Sequence, residues 1–306
     1  MKITIIGAGN VGSLTAMRLA QEGLGEIVLV DIVKDLAKAK AFDLEDAHPI
    51  LKYDYQIEGT DEINKIKDSD IIVITAGLTR KPGMTREELL SKNATILKDI
   101  ALNIKKISPN PILIVVTNPL DLMTYLVLKT TGFNPNKVLG MGISLDTARF
   151  ANLISKELNI PATDVDACVI ASHGEGMLPL PRFTQIKGVA LDEFLDDKKI
   201  EDLIIRVLNR GAEIVSLLGN GSAYFAPSAA IAAIVKAIVK DEKRIIGVCA
   251  YLNGEYGLND ICIGVPCRLG RNGIEKIIEL DLNKEEGGAF LKSAANLKEQ
   301  YSHITI

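Results

Sequence analysis

Along the first half of the chain, short apolar runs alternate with longer stretches in which apolar residues recur every three or four positions. Ile3 to Ile6, Ile27 to Val30, Ile71 to Thr75, Ile112 to Val116 and Val138-Leu139 are nearly continuous and rich in β-branched residues. That is the pattern of strands covered on both faces. Tyr53 to Glu58 alternates and reads as a further strand. Between these runs lie helical stretches: Val11 to Leu19, then Lys34 to Ala47 ended by His48-Pro49, and a short one at Ile63 and Ile66. Strand and helix in alternation predict an α/β fold with a doubly wound parallel sheet of the Rossmann type. From about Ile143 the pattern changes. Helical stretches at Leu145 to Leu158, Ile200 to Leu218 and Ser228 to Lys240 surround a strand-like Val165 to Ala171. Strand-like pieces at Ile245 to Tyr251, Ile261 to Val265 and Ile274 to Leu280 follow, then a helix from Glu285 to Tyr301. Asn253-Gly254 and Arg271-Asn272-Gly273 are turn signals between antiparallel strands. The expected organisation is a dinucleotide-binding domain over residues 1–143 and an α+β substrate and catalytic domain over residues 144–306.

The first apolar run ends in Gly7-Ala8-Gly9-Asn10-Val11-Gly12 and opens a helix. In such a turn the first glycine permits the tight bend and the second lets a pyrophosphate approach the backbone. The third lets helix and strand pack closely. The phosphates then meet amides at a helix N-terminus. Asp31 closes the second run about 20 residues on, where a carboxylate can accept hydrogen bonds from ribose hydroxyls. This placement favours NAD over NADP, although Lys34 nearby can soften the preference. A bare strand-to-helix turn is the alternative, and it leaves Asp31 without a purpose.

Composition removes other classes. The chain has 306 residues, 47% of them hydrophobic, enough for a large core. Mean hydropathy is +0.20, but the most apolar helical stretch, Ala229 to Val239, contains Lys236 and is shorter than the roughly 20 residues a span needs. The N-terminal run is stopped by glycines and does not read as a signal peptide, so a cytoplasmic location is expected. A net charge of −4 and the lack of a basic cluster argue against nucleic acid. The four cysteines include no CxxC pair and none stands beside a histidine at ligand spacing, so they read as reduced and structural, with no metal expected.

The loop Ala76 to Arg86 follows a buried-type strand and carries Arg80, Lys81 and Arg86 between glycine and proline. It reads either as a closing loop for a small dianion, gripped by guanidinium groups through paired hydrogen bonds, or as a solvated basic loop. Asn118, in Val116-Thr117-Asn118-Pro119, reads as a substrate-binding amide or as the N-cap of the next helix. Asp146 and Arg149 share one helix face and on their own fit a surface ion pair. Of three histidines, His48 precedes a proline and His303 is in the tail, whereas His173 follows a strand and precedes Gly174. An imidazole there suits proton exchange at neutral pH, if a carboxylate holds its tautomer; the alternative is a structural histidine.

Taken as an ordered set, these motifs resemble the lactate/malate dehydrogenase family, and within it the lactate-dehydrogenase-like malate dehydrogenases. The set comprises Gly7 to Gly12, Asp31, Arg80 to Arg86, Val116 to Pro119, Leu145 to Arg149, His173-Gly174 and Gly254-Glu255-Tyr256-Gly257, and the similarity covers essentially the whole chain. The resemblance implies reversible oxidation of (S)-malate to oxaloacetate with NAD, within the tricarboxylic acid cycle, by a homodimer or homotetramer. It implies that His173 accepts the hydroxyl proton, that Asp146 orients it, that Arg149 clamps the carboxylate beside the reacting carbon and that Asn118 contacts the reacting oxygen. Arg86 would polarise the carbonyl, and Arg80 matches the specificity position, where arginine goes with a dicarboxylate. Gly7, Ala8, Gly9, Asn10, Val11, Gly12, Asp31, Asn93, Val116, Thr117 and Asn118 would contact the cofactor. One departure stands near the chemistry: Ala171-Ser172-His173-Gly174-Glu175 replaces the family's Gly-x-His-Gly-Asp. The rival readings are a dehydrogenase for lactate or another 2-hydroxy acid, and a non-catalytic NAD-binding sensor or scaffold.

Overall fold

Apolar runs with no polar face are stable only where something covers both sides, and this is how the first half is built. A computed structural model describes residues 1–52, 54–79, 85–219, 221–302 and 304, and residue 86 by its backbone alone. Its first-half elements are β1 (Lys2–Ile6), α1 (Asn10–Gln21), β2 (Glu26–Val30), α2 (Leu36–Asp46), α3 (His48–Leu51), β3 (Ile57–Thr60), β4 (Ile71–Ile74), α4 (Arg86–Ile107), β5 (Ile112–Val115), α5 (Leu120–Thr131) and β6 (Val138–Gly140). The six strands pair in parallel in the order β3-β2-β1-β4-β5-β6. Ile5, for example, lies between Leu29 and Val73, all three fully buried. The chain passes from β1 to one side and later returns to β4 on the other. The carboxyl ends of β1 and β4 therefore flank a crevice where the winding reverses, the place at which such sheets take ligands.

The second half contains α6 (Ile143–Leu158), β7 (Val165–Asp166), β8 (Val169–Ala171), β9 (Met177–Pro179), β10 (Gln185–Ile186), β11 (Val189–Ala190), α7 (Asp197–Leu218), α8 (Phe225–Val239), β12 (Arg244–Asn253), β13 (Asn259–Gly270), β14 (Gly273–Ile277) and α9 (Lys284–Tyr301). Strands β12, β13, β8 and β9 are antiparallel and prolong the parallel sheet: β12 meets β6 through Cys249 and Gly140. Gly140 makes that junction possible, since a Cβ there would lie 2.4 Å from Thr124 Oγ1 and 3.0 Å from Cys249 Cβ. A separate cluster, including Phe150, Leu153, Leu191, Leu203 and Val207, packs α6 and α7 over the small β7-β10-β11 sheet.

Several sequence expectations change. Tyr53 lies outside the described residues, and the strand expected over 53–58 begins only at Ile57. The Tyr55 ring is buried because its hydroxyl donates to the Leu44 carbonyl at 2.9 Å, which ties it to α2 and mimics strand alternation in the sequence. His48-Pro49 does not simply end a helix. It opens the one-turn α3, whose early proline gives up no helical hydrogen bond. The single strand expected over Val165 to Ala171 breaks into β7 and β8, which enter different sheets. Helix α8 begins at Phe225 because Pro227 fits its first turn, and the two- and three-residue strands β9, β10 and β11 carry no periodic signal. Among the described residues no helix is long and apolar enough to cross a membrane.

Candidate functional site

At the switch point the glycine turn has the geometry each glycine was read for. Gly7 has φ +111, and a Cβ on it would lie 2.6 Å from the Ala76 nitrogen; a Cβ on Gly12 would lie 1.9 Å from the Gly7 carbonyl oxygen. Gly9 differs, since a Cβ there meets nothing within 4 Å. It borders the cleft, so its lack of a side chain matters to a visitor and not to the protein's own packing. Gly9 is also the N-cap of α1 and supplies no side-chain cap, which leaves first-turn amides available to an anion. Asp31 is fixed beside them. Its Oδ2 accepts the Ala8 N–H at 2.6 Å and its Oδ1 accepts the Val33 N–H at 2.9 Å. From α2, Lys40 donates to the Ala8 carbonyl at 2.6 Å and to Ser13 Oγ at 2.9 Å, closing the turn from outside. An open glycine, uncapped amides and a carboxylate at the end of β2 fit a dinucleotide.

This turn forms one wall of a cleft of about 470 Å³ that runs from Gly9 to Gly12, past Thr117 and Asn118, to His173. Val116 also lines it. Thr117 donates to the Ala76 carbonyl at 2.6 Å and so holds the strand ends together. Asn93 is fully buried behind the cleft: its amide donates to the Leu78 and Asn118 carbonyls at 3.2 and 2.7 Å, and its oxygen accepts the Leu78 N–H at 2.8 Å. Asn118 does not cap α5, because Pro119 occupies the N-cap, so the helix makes no claim on the Asn118 amide. The far wall, Gly221 to Tyr224, was not singled out in the sequence. Its only signal there is the glycine-rich break between two helical stretches, which marks a loop without saying what it faces. Arg80, with Lys81 to Met84, lies outside the described residues, and so does the Arg86 side chain. What is described is that a reciprocal Thr85–Glu88 capping box starts α4 at Arg86, directly after the loop.

At the end of the cleft, Asp146 joins the other two charged groups. It stands in the first turn of α6, fully buried, and its Oδ2 lies 2.6 Å from His173 Nδ1 while its Oδ1 accepts from Arg149 Nη1 at 3.1 Å. The Asp146–Arg149 pair is therefore no surface ion pair: the Arg149 side chain is 12% exposed and its Nε is buried without a partner. Gly142 lets α6 start this close, since a Cβ on it would come within 3.0 Å of His173 Cβ. Burial pulls the His173 imidazole down, but the charge and hydrogen bond of Asp146, with Asp121 adding to them and Arg149 opposing, leave it above the ordinary histidine value. With Nδ1 engaged by Asp146, Nε2 is the nitrogen left for proton exchange.

The loop bearing His173 is tied from three sides. Ala171 has φ +74, the left-handed region in which glycine costs nothing and alanine carries strain. Ser293 of α9 accepts the Ser172 N–H at 3.3 Å and donates to the Gly176 carbonyl at 2.9 Å. Asp121, in the first turn of α5, accepts the His173 N–H at 2.7 Å. Glu175 is exposed. The four cysteines are all unpaired, and no group of three or more His, Cys, Asp or Glu among the described residues could hold a metal ion.

Residues 1–140 match the model of the lactate/malate dehydrogenase NAD binding domain, and residues 143–305 that of the lactate/malate dehydrogenase alpha/beta C-terminal domain. The malate dehydrogenase of Methanosarcina mazei is 48% identical over 306 residues, covering 100% of both chains. That of Geobacillus thermodenitrificans is 48% identical over 299 residues, 97% of this chain and 96% of its own. Among solved structures, malate dehydrogenase from Picrophilus torridus superposes with a TM-score of 0.95 at 42% identity, covering 98% of this chain and 96% of that one. A lactate dehydrogenase from Cryptosporidium parvum, complexed with lactic acid and nicotinamide adenine dinucleotide, does so at 0.95 with 34% identity, covering 99% and 97%. The glycine turn and Asp31 fall within the first of those family models and the Asp146–Arg149–His173 cluster within the second, and the chain belongs to the lactate/malate dehydrogenase family.

Proposed function

We propose that the chain is an NAD-dependent malate dehydrogenase that interconverts (S)-malate and oxaloacetate. The observation that carries this reading is the placing of Asp146 between Arg149 and His173 at the end of a cleft whose other end is the glycine turn. Full-length relatives 46–48% identical, named malate dehydrogenase, support it. NAD, when bound, supplies the acceptor for the hydrogen that leaves the substrate carbon with its electron pair. Gly7, Ala8, Gly9, Asn10, Val11 and Gly12 would hold its pyrophosphate, Asp31 its ribose, and Val116, Thr117 and Asn118 the cleft wall, with Asn93 bracing that wall from behind.

His173 Nε2 takes the proton of the substrate hydroxyl, so the oxygen never carries an unstabilised negative charge. Asp146 makes this possible twice over: it keeps the Nδ1–H tautomer before the transfer and faces the imidazolium after it. Arg149 has a buried Nε–H with no partner, which suits it to clamp the carboxylate beside the reacting carbon. Asn118, released by Pro119 from capping, would donate to the reacting oxygen. Arg86 would stabilise the charge that develops on that oxygen in the reverse direction, and Arg80 would pair the distal carboxylate of a dicarboxylate substrate. The division at residues 143 and 144, a cytoplasmic location, a place in the tricarboxylic acid cycle and a homodimeric or homotetrameric state belong to the same reading.

The test follows loss of the reduced-nicotinamide absorbance with oxaloacetate, with pyruvate and with no keto acid. Turnover with oxaloacetate well above that with pyruvate is expected. Faster turnover with pyruvate would favour a lactate dehydrogenase, and NADH binding without any turnover would leave a sensor or scaffold.

A further inference from the structure

Behind the His173 loop lies a carboxylate that the chemistry above does not use. Asp121 has a bland explanation, since an acid in the first turn of a helix meets the positive end of the macrodipole. Such acids ordinarily face water. Asp121 is 3% exposed, its Oδ2 is committed to the His173 N–H at 2.7 Å, and its Oδ1 is buried without a partner of good geometry. Burying a carboxylate this deeply is costly unless something is gained from the charge.

The groups that face it come from several elements. From β12 comes the Cys249 thiol, from the loop after β8 His173, from α6 Asp146 and from α9 Tyr301, while Cys262 of β13 acts on Cys249 and Tyr301 from behind. Burial pushes the Asp121 carboxyl up, the Cys249 thiol and the His173 charge and N–H pull it down, and Asp146 pushes it up again, so that it titrates at about 6. The influence is mutual. Asp121 favours the charged imidazole, adding to Asp146 against the opposing Arg149.

We propose that Asp121 is a positioning residue for His173: it anchors the backbone of that residue through the peptide N–H and sets a second negative charge behind the imidazole that Asp146 grips at Nδ1. Asp146 fixes one ring nitrogen and Ser293 holds the flanking Ser172 N–H and Gly176 carbonyl, but neither bonds the His173 peptide itself, which keeps some freedom to rotate. A second anchor at the backbone of the same residue removes that freedom, which matters because proton transfer tolerates little misplacement. The two jobs are chemically separable. An asparagine can still accept the His173 N–H but carries no charge, and an alanine does neither. The proposal rests on the reading of His173 as the proton-exchange group.

The experiment compares wild type, Asp121→Asn and Asp121→Ala as full chains with two readouts. The first is the His173 titration midpoint followed by NMR without substrate. With only three histidines, the His173 resonance is identified by its loss in His173→Asn. The second is kcat/KM for malate oxidation against pH. In Asp121→Asn the His173 midpoint should fall by on the order of one unit, and the acid limb of malate oxidation, which needs a neutral imidazole, should move to lower pH with it. At the pH plateau Asp121→Ala should lose about tenfold more kcat than Asp121→Asn, because only the alanine leaves the His173 N–H without an acceptor. An unmoved midpoint in Asp121→Asn would overturn the charge, and equal losses in the two variants would overturn the anchor. If Asp121→Ala does not fold, the Asp121→Asn midpoint decides alone. A wild type inactive on malate would count against the activity, while the NMR midpoint would still decide the role of Asp121.

Discussion

Replacing Asp146 with asparagine tests the site at the atom on which most of it depends. The amide keeps the shape and has one acceptor and one donor end, whereas the carboxylate accepts from both Arg149 Nη1 and His173 Nδ1. Arg149 can only donate, so the amide oxygen turns to it and the NH₂ turns to Nδ1. That orientation demands a bare Nδ1 and puts the proton on Nε2, where the catalytic base must be empty. Two losses follow. The charge-assisted bond that stabilises the imidazolium contributes about 1.5 to 3 kcal/mol, or roughly 10- to 150-fold in rate. The wrong tautomer deepens this, for an expected fall in kcat of roughly 10²- to 10⁴-fold with NADH binding intact. The pH profile carries an independent sign. Without the Asp146 charge, the His173 midpoint falls, so the acid limb of kcat/KM for malate moves to lower pH. Stability responds too. In wild type the folded-state value of His173 is raised, so its contribution is fully present below the ordinary value of 6.5 and is lost as pH rises through the folded value. The Tm gap between wild type and Asp146→Asn should therefore narrow as the solution is made more alkaline. Steady-state kinetics across the neutral range with thermal melts at each pH make the assay. A loss under tenfold with an unmoved acid limb would refute the reasoning.

Three further outcomes are expected. Gly12→Ala sets a Cβ 1.9 Å from the Gly7 carbonyl, so the turn must open; NADH affinity by fluorescence titration should drop by more than tenfold and Tm should fall, and normal binding would sink the account of the turn. Arg80→Gln should reverse a preference for oxaloacetate over pyruvate expected at roughly 10²- to 10⁴-fold in kcat/KM, while Arg86→Gln slows both keto acids alike; an unchanged ratio in Arg80→Gln would end the specificity claim. Ser293→Ala removes the bonds to the Ser172 N–H and the Gly176 carbonyl, so it should cost about 1 to 2 kcal/mol in denaturant unfolding and lower kcat without weakening NADH binding. An unaltered kcat would mean the clamp is not needed for turnover.

How much of this was legible in the sequence depends on how local each cause is. Strands such as Ile71–Ile74 announce themselves because being covered on both faces leaves no polar position, and the three glycines of the turn because each fills a separate geometric need. His173 emerged by elimination among three histidines. The break between β7 and β8 did not, because the sheet a strand joins is decided by partners far along the chain, Ile186 for Val165 and Gly264 for Ala171. Asp121 does not stand out in the sequence, since nothing there tells that β12 closes over its carboxylate. Ala171 was visible as a departure from the family's glycine, and only the backbone shows why glycine is usual there: φ is +74. Tyr55 misled, since a ring buried by one hydrogen bond to α2 and a ring buried by strand alternation leave the same pattern.

The clamp made by Ser293 has a consequence in time. Every group proposed to meet the cofactor or the substrate has been built into the chain by the time residue 173 has been joined to it, apart from the cleft wall at 221–224. The loop that carries the imidazole is nonetheless held on one side by a side chain 121 residues further on. A nascent chain with a complete parallel sheet can close the glycine turn and present a dinucleotide crevice, yet its proton-exchange group still lacks one of its three tethers. Cofactor capture and chemical competence are thereby separated during synthesis. Arrested chains of increasing length should gain NADH affinity first and turnover only after α9 has emerged and docked.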